Sequence, residues 1–387
     1  MNLEIPITQP TLPPWDLVEE AYGAFYETGM ITNGPMVRQL ESEIQNTLHV
    51  SQAVAVSSCT SGLMLALKYL DVTKKVAIPS FTFFATAHSV IWNSLEPVFV
   101  DIDAETWNLS TEALRVALGN DPELNAVMPV HIFGNPCEVY GLEEARREYG
   151  IKLAFDSAHA IGSKIGDKWV GCFGDAEVFS LTPTKLMAAG EGGIITTQDS
   201  QLGESLRAGR NYGNTGDYDP ESIGLSARMS EFHAALAIES FHILEENVQR
   251  RNKLAEQYKE LLSGIAGIRF QRIKEGNRTT YKDFSIAIDK EDFGMDRDEL
   301  SLYLSEAGVD TRKYFYPPVH RIKAYWEKWG KQYDDALPVT NKLAQQALSL
   351  PMWSHMEEEL VERVCERIAH AHENAENIRS EILKKSE

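Results

Sequence analysis

The chain has 387 residues, of which 43% are hydrophobic and 24% charged, a composition typical of a globular protein rather than a disordered one. Its 57 acidic and 37 basic residues give a formal net charge of −20, which argues against nucleic acid or an anionic membrane as the main partner. The chain has no apolar run of 18 residues and its first residues do not resemble a secretory leader, so we expect a cytoplasmic protein without a membrane partner.

The first 30 residues are predicted to precede the first domain as an arm and a helix. Residues 1–13 are punctuated by prolines, which indicates an extended arm, and residues 14–29 have helical spacing and end at a glycine. The four cysteines contain no CxxC pair, so we expect neither a zinc site nor any other metal in the functional site.

Seven short apolar runs alternate with helical patterns between residues 31 and 250. Most of these runs are nearly continuous in apolar residues, which is typical of strands buried on both faces. Because helical segments separate several of them, we predict an α/β large domain with three layers and a mostly parallel seven-stranded sheet. The predicted strands are Ala53–Val56, Val76–Pro79, Pro97–Asp101, Ala126–Val130, Lys152–Asp156, Ala176–Leu181 and Gly193–Thr197.

A smaller C-terminal α+β domain is predicted from residue 251 to residue 387. A long helical pattern with one or two breaks, from Ser230 to about Leu262, leads into it. Its predicted strands are Ile268–Phe270 and Phe284–Ile288, and its predicted helices are Arg297–Ala307 and Glu357–Lys384.

Lys185 is the first candidate for a chemical role. It lies in a short loop between two apolar runs, after Ser180 and before the glycine-rich segment Gly190–Gly193. An amine held in such a loop can form a Schiff base with pyridoxal phosphate, whereas a lysine on a solvated loop is the plainer alternative.

Asp156 and His159 follow another predicted strand, at the sheet edge where open α/β sheets bind ligands. A carboxylate there can keep a pyridine nitrogen protonated, and His159 can hydrogen-bond the phenolic oxygen of the same cofactor. The alternatives are a helix N-cap for Asp156 and an ordinary core histidine for His159.

Ligands for the cofactor phosphate and an aromatic side chain against its ring would complete such a site. Thr60 and Ser61 stand at a predicted helix start, where free amides bind anions, and Ser180 supplies a third hydroxyl. Phe83 or Phe84 follows a buried strand and can stack on a cofactor ring. Capping and core packing are the respective alternatives.

Substrate contacts are assigned to polar and aromatic residues outside these motifs. His131 follows the strand that ends at residue 130, and Arg228 lies in a polar segment that contains a glycine. Tyr316 and His320 belong to a basic and aromatic segment, residues 311–320, for which an ordinary proline-rich loop is the equal alternative.

Taken in order, these motifs resemble the sugar-nucleotide aminotransferases of the DegT type, pyridoxal-phosphate enzymes with the aspartate aminotransferase fold. The resemblance covers nearly the whole chain, and the lysine and aspartate–histidine motifs are its most specific parts. The motifs are Thr32–Pro35, Ser57–Leu63, Pro79–Thr86, Pro97–Asp103, Pro129–His131, Asp156–Gly162, Phe179–Gly193, Arg228–Glu231, Tyr316–His320 and Leu348–Pro351.

The resemblance implies a role for each cofactor residue. Lys185 forms the Schiff base and later moves the proton, Asp156 pairs with the pyridine nitrogen, and Phe83 stacks on the ring. His159 stands where the family has glutamine or histidine near the phenolic oxygen. The implied phosphate ligands are Thr60, Ser61 and Ser180.

The resemblance also implies a homodimer with the active site at the subunit interface. The family often has asparagine at the position of Ser226, where it reaches the phosphate in the partner subunit. Serine is shorter, so this chain departs from the family pattern at that contact.

The implied reaction moves an amino group, from glutamate, onto a keto group of a nucleotide-linked deoxysugar, as in the biosynthesis of O-antigen or antibiotic sugars. Some relatives carry histidine instead of the lysine and dehydrate the sugar, so Lys185 favours transamination. The opening segment Ile5–Pro10 resembles the members that aminate C-4. The alternatives are the same chemistry on a cyclitol ketone and a non-catalytic regulatory protein that keeps the fold.

Overall fold

The computed structural model describes residues 4–216 and 219–386. A seven-stranded sheet, in the order β1-β7-β6-β5-β4-β2-β3, forms its centre. Strand β7 is antiparallel to both of its neighbours, and all other neighbouring pairs are parallel. The predicted mostly parallel sheet is therefore confirmed. The strands are β1 Gln52–Val56, β2 Lys75–Pro79, β3 Glu96–Val100, β4 Leu124–Val127, β5 Lys152–Asp156, β6 Ala176–Ser180 and β7 Gly193–Thr197.

Helices cover both faces of this sheet. Alternate residues of β1 show this: Val54 and Val56 pack into one apolar cluster, and Ala53 and Ala55 pack into another. Because both faces are buried, the strands lack the polar alternation of a sheet with one wet face. The longer helices before the second sheet are Trp15–Tyr26, Pro35–Leu48, Cys59–Tyr69, Ala85–Trp92, Thr111–Asn120, Val139–Tyr149, Ser200–Gly209, Glu231–His242 and Leu244–Leu262.

A second, three-stranded antiparallel sheet is formed by β8 Ile268–Phe270, β9 Phe284–Ile288 and β10 Ala347–Leu350, in chain order. This sheet and its helices form the smaller α+β region, as predicted. The longer helices that follow β9 are Arg297–Glu306, Pro338–Gln346, Glu358–Glu373 and Ala375–Ser386. Among the residues that the structure describes, no helix has both the length and the apolar character to cross a bilayer.

The helix Leu244–Leu262 runs from the core of the large sheet to the core of the small one. Val248 packs with the large-sheet residues, whereas Leu254 and Tyr258 pack with the small-sheet residues. The change between these positions supports our proposed domain limits of 31–250 and 251–387. Residues 1–3 of the proposed N-terminal segment, residues 1–30, lie outside the described residues.

The N-terminal arm packs against the C-terminal region. Ile5 is buried in the core of the small sheet, and its amide donates to the carbonyl of Gly308 at 3.0 Å. The helix Trp15–Tyr26 packs on the helix Glu231–His242, where the rings of Phe25 and Phe232 meet edge to face at 5.0 Å.

Arg251 ties the long helix to the chain just before β9. Its side chain is fully buried, Nε donates to Ser354 Oγ at 3.0 Å, and Nη1 donates to the carbonyls of Tyr281 and Lys282 at 3.2 and 2.8 Å. Burial lowers the pKa of Arg251 to about 10. Since Arg251→Met would leave these acceptors unpaired, we expect it to cost about 3 kcal/mol of stability.

Urea unfolding of Arg251→Met beside Arg250→Met measures this cost with a neighbouring control. Arg250 is more than half exposed and pairs with Glu246 on the same helix, so its loss should cost about 0.5 kcal/mol or less. Equal midpoints for the two variants would contradict the assigned role of Arg251.

Candidate active site

A cavity of about 310 Å³ opens at the carboxyl ends of β1, β5 and β6, where parallel strands of an open sheet commonly meet their ligands. Six predicted residues line it: Thr60, Phe83, Asp156, His159, Ser180 and Lys185. A larger groove, of about 610 Å³, lies beside Lys152 and Asp175 at the opposite edge of the sheet and contains none of the predicted site residues.

Lys185 is held by a tightly folded loop between β6 and β7. Its amide donates to the carbonyl of Thr182 at 2.9 Å, and the amide of Ala189 donates back to Leu181 at 2.7 Å. The following residue, Leu186, is buried in the core. Burial is the main reason why the pKa of Lys185 falls to about 8. Its amine can therefore exchange a proton near neutral pH.

Asp156 ends β5 as a buried carboxylate. Its Oδ2 accepts from Thr86 Oγ1 at 2.7 Å, and its Oδ1 accepts from the amide of Ala158 at 3.2 Å. Burial raises the pKa of Asp156, and these two donors act in the opposite direction. Within the described part of the chain, no lysine, arginine or histidine nitrogen lies within 4.0 Å of its oxygens. The carboxylate of Asp156 can therefore accept a hydrogen bond from an N–H group of a bound ligand.

His159 is a neutral ring whose Nε2 carries the proton. The amide of Phe133 donates to its Nδ1 at 3.2 Å, which leaves Nε2 as the N–H donor. Burial and, to a smaller extent, the cations of Lys185 and Lys282 hold the pKa of His159 well below its usual range. The ring lies parallel to those of Phe133 and Phe315, with centroids 6.3 and 6.5 Å away. His159 can thus donate to a phenolic oxygen in the cavity.

The predicted phosphate ligands do not all face the cavity. Thr60 and Ser180 line it, at the start of the helix Cys59–Tyr69 and at the end of β6. Ser61 caps the same helix instead, because its amide donates to Ser58 Oγ at 3.1 Å and its hydroxyl donates to the carbonyl of Ser58 at 2.8 Å. Ser61 thus fixes the helix start whose amides can bind an anion.

Of the two predicted phenylalanines, Phe83 is the one that lines the cavity. It remains 48% exposed, so a face is free to cover a ligand. Phe84 lies against it at 3.9 Å between centroids and contacts His88 at 5.2 Å on its other side, away from the cavity lining.

The structure does not bring the two predicted substrate histidines to the cavity. His131 is fully buried, with Nδ1 accepting from the amide of Cys137 at 2.9 Å and Nε2 3.4 Å from Glu177. His320 is also fully buried, with Nδ1 2.7 Å from Ser80 Oγ. Both side chains have internal partners, so the assignment of substrate contacts to them is corrected.

Three further predicted residues lie outside the cavity lining. Arg228 donates to Asn211 Oδ1 at 3.0 Å and lies 5.3 Å from the ring of Tyr212. Tyr316 is half-exposed, and Ser226 lies exposed on the surface of this single chain. These positions can contribute only through a second subunit or a large ligand, and they remain proposals.

Sequence analysis missed an ion pair that faces the same cavity. Lys282 and Asp283 both line it, together with Tyr314 and Phe315, although they come from the C-terminal region. No motif marks them. The available signal was a charged pair directly before the buried strand β9, a place where an unneeded charge is costly.

Gly193 brings the lysine loop close to the helix that starts beside Thr60. A Cβ at Gly193 would lie 2.7 Å from the amide nitrogen of Cys59 and 2.8 Å from the carbonyl carbon of Ser58. We expect Gly193→Ala to push this helix start aside at a cost of about 1–3 kcal/mol, which corresponds to a rise of about 5- to 150-fold in the Kd of a phosphate-bearing cofactor.

Cofactor titration of the apoprotein, followed by absorbance, measures this change. Gly119→Ala is the matched control, because a Cβ there meets nothing within 4 Å. Unchanged affinity in Gly193→Ala would show that the helix start does not form the phosphate site.

Comparisons with known proteins show which family the chain resembles over nearly its whole length. The model of the DegT/DnrJ/EryC1/StrS aminotransferase family matches residues 18–369. The dTDP-4-amino-4,6-dideoxy-D-glucose transaminase of Shigella dysenteriae is 31% identical over 369 residues, 95% of this chain and 99% of that protein. The UDP-N-acetyl-3-dehydro-α-D-glucosamine 3-aminotransferase of Acidithiobacillus ferrooxidans is 31% identical over 355 residues, 91% and 93% of the two chains.

A solved structure agrees over almost the whole fold. DesI, crystallised in the presence of its TDP-sugar product, has a TM-score of 0.92 and 30% identity, covering 98% of this chain and 96% of that chain. Enzymes of this kind use pyridoxal phosphate. The cavity fits that group, since a lysine, a buried carboxylate without a cation and a helix start meet in it. The chain therefore belongs to the DegT/DnrJ/EryC1/StrS aminotransferase family and is a transaminase that uses pyridoxal phosphate.

Proposed function

We propose that this enzyme transfers an amino group from glutamate to the C-4 keto group of a nucleotide-linked deoxysugar. The observation that carries the proposal is the meeting of Lys185, Asp156 and His159 in one cavity at the carboxyl edge of the sheet. The 31% identity to the Shigella dysenteriae dTDP-4-amino-4,6-dideoxy-D-glucose transaminase over nearly both chains supports the substrate class and the ring position.

Pyridoxal phosphate supplies an electron sink when its ring nitrogen is protonated. Asp156 holds the proton on that nitrogen, and the hydroxyl of Thr86 keeps the carboxylate oriented. His159 would donate a hydrogen bond from Nε2 to the phenolic oxygen, and Phe83 would pack against the ring. Thr60, Ser180 and the amides at the helix start bind the phosphate, while Ser61 fixes that helix start.

Lys185 holds the cofactor in the resting enzyme and moves the substrate proton once its amine is released. A proton carrier works best when its pKa is near the working pH. The low pKa of about 8 at Lys185 meets this condition, whereas an exposed lysine amine would stay protonated.

We also propose a cytoplasmic homodimer whose active sites include residues of both subunits. The exposed position of Ser226 supports this, since a partner subunit could cover it, and so do large apolar side chains on the surface. The exposed side chains that we assign to the interface are Trp15, Tyr26, Trp92, Tyr212 and Ile223.

The second candidate is amination at C-3. The 31% identity to a UDP-sugar 3-aminotransferase of Acidithiobacillus ferrooxidans supports it as a specific alternative.

A panel of nucleotide-linked keto sugars with glutamate as donor tests the proposal. We expect amination of a 4-keto-6-deoxy sugar, with the new amine located at C-4 by NMR of the product and an equal amount of 2-oxoglutarate formed. An amine at C-3 would establish the second candidate. Failure with all nucleotide sugars and turnover of a cyclitol ketone would contradict both.

A further inference from the structure

The ion pair Lys282–Asp283 lies in the wall of the active-site cavity. Lys282 Nζ donates to both carboxylate oxygens of Asp283, at 2.8 and 3.1 Å, and each side chain is only 7% exposed. The amide of Lys282 donates to the carbonyl of Phe133 at 3.0 Å. Since His159 stacks on that same Phe133 ring, the pair is held in a fixed position beside the catalytic groups.

Lys282 faces the same cavity as Lys185, and its Nζ lies 5.6 Å from the centre of the Tyr314 ring, which also lines that cavity. Among the charges that act on Lys185, Lys282 comes first and Asp283 opposes it, and Lys282 also acts on His159. Asp283 also acts on Arg251, whose Nη1 donates to the carbonyl of Lys282 at 2.8 Å. Because a nearby positive charge disfavours a second one, Lys282 favours the neutral amine of Lys185.

We propose that Lys282 is a positioning residue whose ammonium group, anchored by Asp283 in the cavity wall, acts on the nitrogen of Lys185 and disfavours a second positive charge there. This inference rests on the part of the proposed function in which Lys185 carries the cofactor and moves the proton. Lys282 is neither a second Schiff-base lysine nor a proton carrier.

The other titratable groups that act on Lys185 do not favour its neutral amine. Burial raises the pKa of the Cys59 thiol, so that group is neutral, and His159 is neutral as well. Both Asp156 and Asp283 favour the protonated amine, so they act against Lys282. The titratable groups that face or line the site with Lys185 are Cys59, Asp156, His159, Glu191, Lys282, Asp283 and Tyr314.

Spectrophotometric pH titration of the holoenzyme tests the proposal without any substrate. The visible absorbance of the bound cofactor changes when the nitrogen supplied by Lys185 gains or loses its proton, and the midpoint reports its proton affinity. Lys282→Gln removes the cation, so we expect the midpoint to rise by ~1 pH unit. Lys282→Arg keeps the cation and should restore the wild-type midpoint.

Two further variants test the direction and the specificity of the shift in the titration midpoint. Asp283→Asn removes the opposing anion and should lower the midpoint. Lys259→Gln is the matched control, because Lys259 belongs to the same region but bonds to the hydroxyl of Tyr281 at 2.7 Å. Its midpoint should not move. Cofactor content and thermal unfolding of each variant show that it is folded and loaded.

An unchanged midpoint in Lys282→Gln, or equal shifts in Lys282→Gln and Lys259→Gln, would overturn the proposal. So would a shift in Lys282→Arg as large as that in Lys282→Gln. A negative result with the sugar panel would not affect this titration, because an enzyme with a different acceptor ketone would still show the same shifts of the midpoint.

Discussion

Lys185→Ala should abolish turnover while leaving a folded protein that still binds pyridoxal phosphate. The variant loses both the amine that holds the cofactor and the group that moves the substrate proton. We expect kcat to fall by at least about 10³-fold, since proton transfer by a positioned group alone contributes 10²–10⁴-fold. Measured with glutamate and the keto sugar that the panel identifies, this is the largest single effect we expect.

Lys168→Ala is the control for this variant. Lys168 is an exposed lysine on a two-residue strand that pairs with Lys164–Ile165, and it is not among the residues that line the active-site cavity. Its kcat should match that of the wild type. If Lys185→Ala turned over at the wild-type rate, another residue would have to carry the chemistry.

Asp156→Asn should have the second-largest effect. Asparagine keeps the shape and can accept from Thr86, but it has no charge to hold a proton on the ring nitrogen. Breaking a buried charge pair costs about 3 kcal/mol, which corresponds to roughly a hundredfold loss in kcat. The cofactor should still bind, because Lys185 and the phosphate ligands remain.

Thr86→Val separates the orientation of Asp156 from its charge. Removing one hydroxyl donor at 2.7 Å from Oδ2 should lower kcat by only about tenfold. Wild-type kcat in Asp156→Asn would show that the carboxylate does not support the electron sink.

The sequence predicted the large sheet well because its strands are short and apolar on both faces. All seven predicted runs are strands, with ends that differ by up to three residues, as at Ala126–Val130 against the observed Leu124–Val127. Strand β7 is antiparallel to its neighbours, and the apolar pattern of Gly193–Thr197 does not indicate the direction of the strand. The predicted helix from Ser230 breaks at Ile243, and Ala347–Leu350 forms a strand that was seen only as a motif.

The candidate catalytic residues could be predicted because each ends or follows a strand at one edge of one sheet. Lys185 and Asp156 follow neighbouring strands, so their meeting follows from the sheet itself. The pair Lys282–Asp283 comes from the C-terminal region, and only the packing of that region on Phe133 brings it into the cavity.

The two histidines that were assigned to the substrate show the opposite case, because they were predicted for the site but their side chains do not reach the cavity. His131 stands at the expected edge of the sheet, and His320 lies beside Ser80 at the end of β2, but local contacts hold both rings inside the protein. The amide of Cys137 binds one ring and the hydroxyl of Ser80 binds the other. A polar residue at the right edge is therefore not sufficient evidence for a ligand contact, because such partners cannot be identified from sequence spacing.

Borohydride reduction of the holoenzyme followed by peptide mass spectrometry tests the central claim most directly, since it fixes the cofactor on the lysine that carries it. We expect the added mass on the peptide that contains Lys185, and no label in Lys185→Ala. Lys282 lies in the same cavity and provides an internal comparison. A label on Lys282, or on no lysine of a loaded protein, would contradict the account.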